Sequence, residues 1–68
     1  MKLSTFSFPT YEDRETAADK IYYNCGGYDA YEKDSYDGKY IIHILSGCTD
    51  VSLAVQICQG NCGKRIEW

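Results

Sequence analysis

No stretch of this sequence is apolar for long enough to cross a bilayer. Its start, MKLSTFSFPTYEDRE, alternates polar with apolar residues and lacks the continuous apolar run of an export signal. Basic charge is scarce. Seven Lys and Arg face ten Asp and Glu, for a net charge of −3. That balance disfavours a nucleic-acid binder, which carries a basic footprint, and disfavours adhesion to an anionic membrane. The phosphate-cradling patterns G-x-x-x-x-G-K-[ST] and G-x-G-x-x-G are both missing. Gly60-Asn61-Cys62-Gly63-Lys64 resembles a phosphate loop only superficially, since it ends a helix instead of beginning one. No internal repeat, linker or low-complexity segment is present.

What remains is a chain of 68 residues, the size of one domain spanning residues 1–68. A core of that size folds alone but cannot house a deep enclosed active site. With 44% hydrophobic and 25% charged residues the composition is that of a folded domain, not a disordered one. A first Met with no export signal behind it leads to the expectation of a cytoplasmic protein whose thiols stay reduced.

Local patterns alternate strand and helix. KLSTFSF, residues 2–8, alternates as a strand, with Phe6 and Phe8 on one face and Leu3 and Thr5 on the other. Pro9 stops it. Thr10 reads as a helix cap, followed by first-turn acids at Glu12, Asp13 and Glu15. Arg14 (its stem), Ala17, Ala18, Ile21, Tyr22 and Cys25 follow the spacing of one helical face, and Gly26-Gly27 supplies the stop. Asp37-Gly38 is a preferred two-residue hairpin turn between a charged run and the apolar run KYIIHILS. The charged run suits an edge strand and the apolar one a central strand. Thr49 or Asp50 then caps a second helix reaching about Cys62, Gly63 ends it, and KRIEW forms a last strand. The order β-α-β-β-α-β with right-handed crossovers gives the ferredoxin-like sandwich: a four-stranded antiparallel sheet, order 4-1-3-2, with two helices on one face. That fold hosts many unrelated functions and decides little about activity.

Three of the four cysteines fall in CTDVSLAVQICQGNC, residues 48–62. Paired C-x2-C knuckles are missing, and the topology sets Cys58 and Cys62 apart from Cys25 and Cys48, so no metal site is expected. Cys58 and Cys62, four apart, read with Val51, Ala54 and Val55 as one apolar core stripe. Cys25 and Cys48 are the one pair brought close, and in an oxidising compartment they can form a disulfide. No C-x-x-C precedes a helix, which removes the redox-enzyme reading.

His43 is the only histidine. The hairpin register sets Glu32 opposite it, a cross-strand polar pair without a nucleophile or pocket, and no catalytic residue, metal or cofactor is assigned. The RNA-binding variant of the fold stacks bases on aromatics of its central strands. Here those positions carry Leu3, Thr5, Ile41, His43 and Leu45, so no direct nucleic-acid partner is expected.

Two surfaces are left. Alternation sends Leu3, Ile41, His43 and Leu45 to the sheet face opposite the helices, an apolar patch fit for self-association as a homodimer. The second is acidic. Residues 10–38 hold Glu12, Asp13, Glu15, Asp19, Asp29, Glu32, Asp34 and Asp37 against Arg14, Lys20 and Lys33. Five of the seven tyrosines, Tyr22, Tyr23, Tyr28, Tyr31 and Tyr36, interleave with these acids. Tyr offers large area with a polar tip, and acid with Tyr suits a basic protein surface. The sequence therefore points to a non-enzymatic binding module for a larger protein with a basic surface. Small acidic modules of this type serve phages as inhibitors of host machinery, nucleic-acid-guided defence complexes included. The alternatives are a self-associating structural or regulatory domain and, more weakly, a secreted disulfide-stabilised effector or toxin.

Overall fold

The computed structural model describes all 68 residues. Strand β1 (Lys2–Phe8) ends at Pro9, and Thr10 begins helix α1 (Tyr11–Cys25) as a cap. The Thr10 hydroxyl accepts a hydrogen bond from the Asp13 N–H at 3.1 Å. Glu12 and Asp13 stand in the first turn, where the helix dipole favours negative charge. Gly26 closes α1 in the left-handed region, φ 115°, and Gly27–Asp29 make one 3-10 turn that the sequence did not announce. Strands β2 (Tyr31–Tyr36) and β3 (Lys39–Leu45) then form the hairpin. Asp37 and Gly38 both take positive φ, 53° and 74°, as the expected two-residue turn requires.

Helix α2 (Val51–Gly60) is capped by Asp50, whose carboxylate accepts from the Leu53 N–H at 3.1 Å. Strand β4 (Lys64–Ile66) completes a four-stranded sheet in the order β2-β3-β1-β4, with every pairing antiparallel. This is the ferredoxin-like topology that the sequence pattern implies. Phe6 and Phe8, Ile42 and Ile44, the α1 residues Ala17, Ala18, Ile21 and Cys25, and the α2 residues Ala54 and Cys58 share one buried cluster. Both helices therefore pack on the same face of the sheet. None of the helices is long and apolar enough to cross a membrane.

The second helix departs from expectation at its end. It stops at Gly60, two residues short of Cys62. The Asn61 side chain donates to the Ile57 carbonyl at 2.8 Å, and the Gly63 N–H closes the turn on the Cys58 carbonyl at 2.7 Å. This is a Schellman closure with Cys62 at its left-handed position, φ 66°. Cys58 and Cys62 therefore do not share a helical face: Cys58 is buried in the core and Cys62 is exposed. The last strand is also shorter than KRIEW, and Glu67 and Trp68 leave the sheet edge.

Gly63 is needed for its lack of a side chain. A Cβ there would come within 2.5 Å of the Cys58 carbonyl oxygen and 2.8 Å of the Phe8 ring. Gly63→Ala should cost about 1–3 kcal/mol, the range for overpacking a tight site. A urea melt checks this as a lowered midpoint with unchanged slope.

Candidate functional site

Strand alternation places Ile41, His43 and Leu45 on the face opposite the helices, as expected, but that face is not bare. Ile41 and His43 are both wholly buried, Leu45 is half-buried, and only Leu3 stays exposed, as the extra residue where the β1–β3 register slips between Lys2 and Ser4. The expected apolar patch is thus reduced to its margin. Over His43 the cover comes from the segment after β4. The Trp68 ring lies 4.7 Å from the His43 ring at 70°, and 5.5 Å from the Tyr36 ring at 77°. The Lys2 ammonium stands 5.5 Å from the indole centroid.

His43 joins three strands. Its direct cross-strand partners are Thr5 and Glu32, as the register implies. Its hydrogen bonds run elsewhere in part: Nδ1 meets the Thr5 hydroxyl at 2.9 Å, and Nε2 meets the Asp34 carboxylate, not Glu32, at 3.2 Å. An ionised carboxylate only accepts, so Nε2 donates to Asp34. In the neutral ring Nδ1 then accepts from the Thr5 O–H, and in the charged ring it donates to the Thr5 oxygen. Either way both ring nitrogens are partnered. His43 and the Ser35 backbone N–H hold the Asp34 carboxyl below its ordinary range. Hydroxyl, imidazole and carboxylate stand in the sequence of a nucleophile relay. Thr5 and His43 are both buried, and Thr5 borders a shallow surface hollow beside Trp68. The physical work of the relay is to satisfy a polar ring inside an apolar strand.

The acids divide by what the fold already asks of them. Glu12 and Asp13 stabilise the start of α1. Glu15 pairs with Lys33 at 2.9 Å and Arg14 at 3.1 Å, and these bonds, Lys33 first, lower its pKa. For Glu15 and Asp34 the lowered pKa means stability that is complete above the ordinary carboxylate range and lost as pH falls through the lowered values. Asp19, Asp29, Glu32 and Asp37 are exposed and make no salt bridge. Arg14 is held between the Tyr11 and Tyr40 rings, 5.2 and 5.4 Å from their centroids, and donates to the Asp34 carbonyl at 2.9 Å.

The tyrosines divide as well. Tyr36 joins Trp68 on the open face. The other four form a ladder from the end of α1 through the 3-10 turn to the start of β2. Tyr22 stands 5.0 Å from Tyr23 and 4.8 Å from Tyr28, and Tyr28 stands 6.2 Å from Tyr31. Tyr31 is buried, which raises its pKa, with Asp19 and Glu15 close enough to add to the effect. Tyr23 and Tyr28, 80% and 75% exposed, form the outer part of the ladder.

All four cysteines are free thiols. The Cys25 carbonyl accepts from the Thr49 N–H at 2.8 Å, which brings the end of α1 onto the loop that carries Cys48. Burial, and then the neighbouring Cys48 thiol, push Cys25 up to about 11. Burial pushes Cys58 up to about 12, with Cys25 and Cys48 near enough to contribute, so Cys58 is not remote from that pair as the sequence pattern suggested. No group of three His, Cys, Asp or Glu side chains stands together in a way that could hold a metal ion. Comparison with protein-family models, curated proteins and solved structures finds no match for this chain.

Thr5→Val should leave His43 Nδ1 without its partner and cost about 1–3 kcal/mol, with no comparable loss in Ser7→Val on the same strand. Alkylation of the native, reduced protein near neutral pH should modify Cys62 first and Cys48 next, leaving Cys25 and Cys58 unmodified until denaturant is added, because the thiolate is the reacting form. Intact mass follows both stages. A Cys25–Cys48 disulfide would instead stop native modification at Cys62.

Proposed function

We propose that this chain is a small, non-enzymatic protein-binding module. It docks on a larger protein with a basic surface through the side formed by α1, the 3-10 turn and the start of β2. The observation that carries this is the tyrosine ladder. Tyr23 and Tyr28 are mostly exposed, yet each packs edge-on against Tyr22, so their large contact surfaces are already ordered. An ordered aromatic surface loses little conformational entropy on binding, which is why Tyr recurs at interface centres. Asp19 and Asp29 stand on the same segments without a salt bridge, and supply the sign that selects a basic partner. Asp34, engaged by His43, and Glu15, engaged by Lys33 and Arg14, belong to the fold more than to the partner. A cytoplasmic inhibitor of host machinery, of the kind phages deploy against nucleic-acid-guided defence complexes, is the setting this reading suits.

A tagged chain should capture a larger basic protein from host lysate. Capture should fall about tenfold or more in Tyr23→Ser with Tyr28→Ser and in Asp19→Lys with Asp29→Lys, and should weaken as salt is raised. Glu32→Lys, on the other face of the edge strand, should change it little. Capture of nothing, or of a partner indifferent to both double variants, overturns the proposal.

A further inference from the structure

The bases outside residues 10–38 are Lys2, Lys39, Lys64 and Arg65, with only Asp50 and Glu67 against them. Two of them, Lys2 and Arg65, line a hollow of about 430 Å³ together with Ser4, Thr5, Glu67 and Trp68. A second hollow, of about 380 Å³, is lined by Tyr36, Glu67 and Trp68. Lys39 and Lys64 line a third beyond them, at the Ser7 end of β1. Trp68 is 55% exposed and borders both of the first two hollows. Its indole is held by His43, Tyr36 and Lys2, so it presents a fixed aromatic surface beside the Lys2 ammonium.

We propose that the Trp68 hollow binds a nucleotide unit, with the planar base stacked on the indole and the phosphate held by Lys2. Base-on-aromatic stacking with nearby cations is the common means of holding unpaired nucleotides. The sequence pattern argued against it because the central strands carry no exposed aromatic. The structure supplies the aromatics from elsewhere: Trp68 from beyond the last strand and Tyr36 from the edge strand. The overall negative charge is also not local, since the acids are concentrated in residues 10–38. Two acids do share this face. Asp34 is engaged by His43, and Glu32 lies across on the edge strand. Glu67 borders the hollow itself and opposes a long run of phosphates, which favours a ligand of one or a few units. A paired duplex is disfavoured because its base faces are already stacked. The unit can be a free nucleotide or one residue of a single strand, and both share the same chemistry. The site lies on the face opposite the helices and does not depend on the acidic surface.

Trp68 is the only tryptophan, so its emission reports on this hollow directly. The test titrates the whole chain with uridine monophosphate, with a short oligouridylate and with inorganic phosphate. The expected result is saturable quenching by at least one of the first two, with half-saturation below about 1 mM, and none by phosphate. Lys2→Glu should weaken it about tenfold with an unchanged far-ultraviolet dichroism spectrum. If that variant does not fold, Lys2→Gln serves in its place, with the same direction expected. Tighter binding of the oligomer assigns the site to single strands, and equal affinity assigns it to free nucleotides. Absence of saturation, equal quenching by phosphate, or affinity unchanged by the substitution overturns the proposal.

Discussion

Strand β3 is buried on both faces, although helices cover only one of them. Ile42 and Ile44 meet α1 and α2 in the core, while Ile41 and His43 reach the other side and are equally out of water. A two-layer sandwich leaves that second face open to solvent, and a strand reading YIIHIL cannot remain so exposed. At His43 the molecule resolves this with a single side chain in place of a further layer. Trp68 returns from beyond β4 and lies edge-on against His43, beside Tyr36. Once covered, the imidazole needs partners for both nitrogens, and Thr5 and Asp34 provide them from the two neighbouring strands. A polar residue in the centre of the sheet thereby links three of its four strands.

The edge of the sheet follows a related logic. Strand β2 offers unpaired backbone groups to any passing strand. Arg14 reaches over from α1 and donates to the Asp34 carbonyl, with its guanidinium held between Tyr11 and Tyr40. A charged residue on a helix face otherwise composed of Ala, Ile and Cys is thus part of how the edge is protected. Lys33 and Glu15 make the neighbouring tie between the same strand and helix. Much of the acidity in residues 10–38 is accounted for by these structural duties. The remainder, on Asp19, Asp29, Glu32 and Asp37, is available for recognition.

The fold was legible because its signals are local and consistent: a proline, a threonine cap, a double glycine and an aspartate–glycine turn fall between segments of clear periodicity. The hairpin register was legible too, and with it the opposition of Glu32 and His43. The choice of Asp34 over Glu32 was not, because side-chain reach along a twisted edge strand is not encoded in register. Thr5 could have been found, since strand order sets β1 beside β3 and alternation leaves Thr5 on the same face as His43. Trp68 could not, because a residue two places beyond a strand carries no mark of where it folds back. The end of α2 misled for a different reason: Gly63 reads as a stop by conformation, whereas it is there to admit the Cys58 carbonyl and Phe8, and Cys62 takes the left-handed position that a glycine ordinarily fills.

The separation of charge has a consequence of its own. Residues 10–38 carry the excess of acid, while Lys2, Lys64 and Arg65 sit on β1 and β4, across the sheet from the acidic edge strand. The molecule therefore has a permanent electric moment lying roughly across its strands. In the field of a highly charged partner such a body feels a torque before it makes contact, and arrives already turned. Its encounter rate is then governed by orientation more than by its small net charge, and added salt removes that advantage before it dissolves any contact.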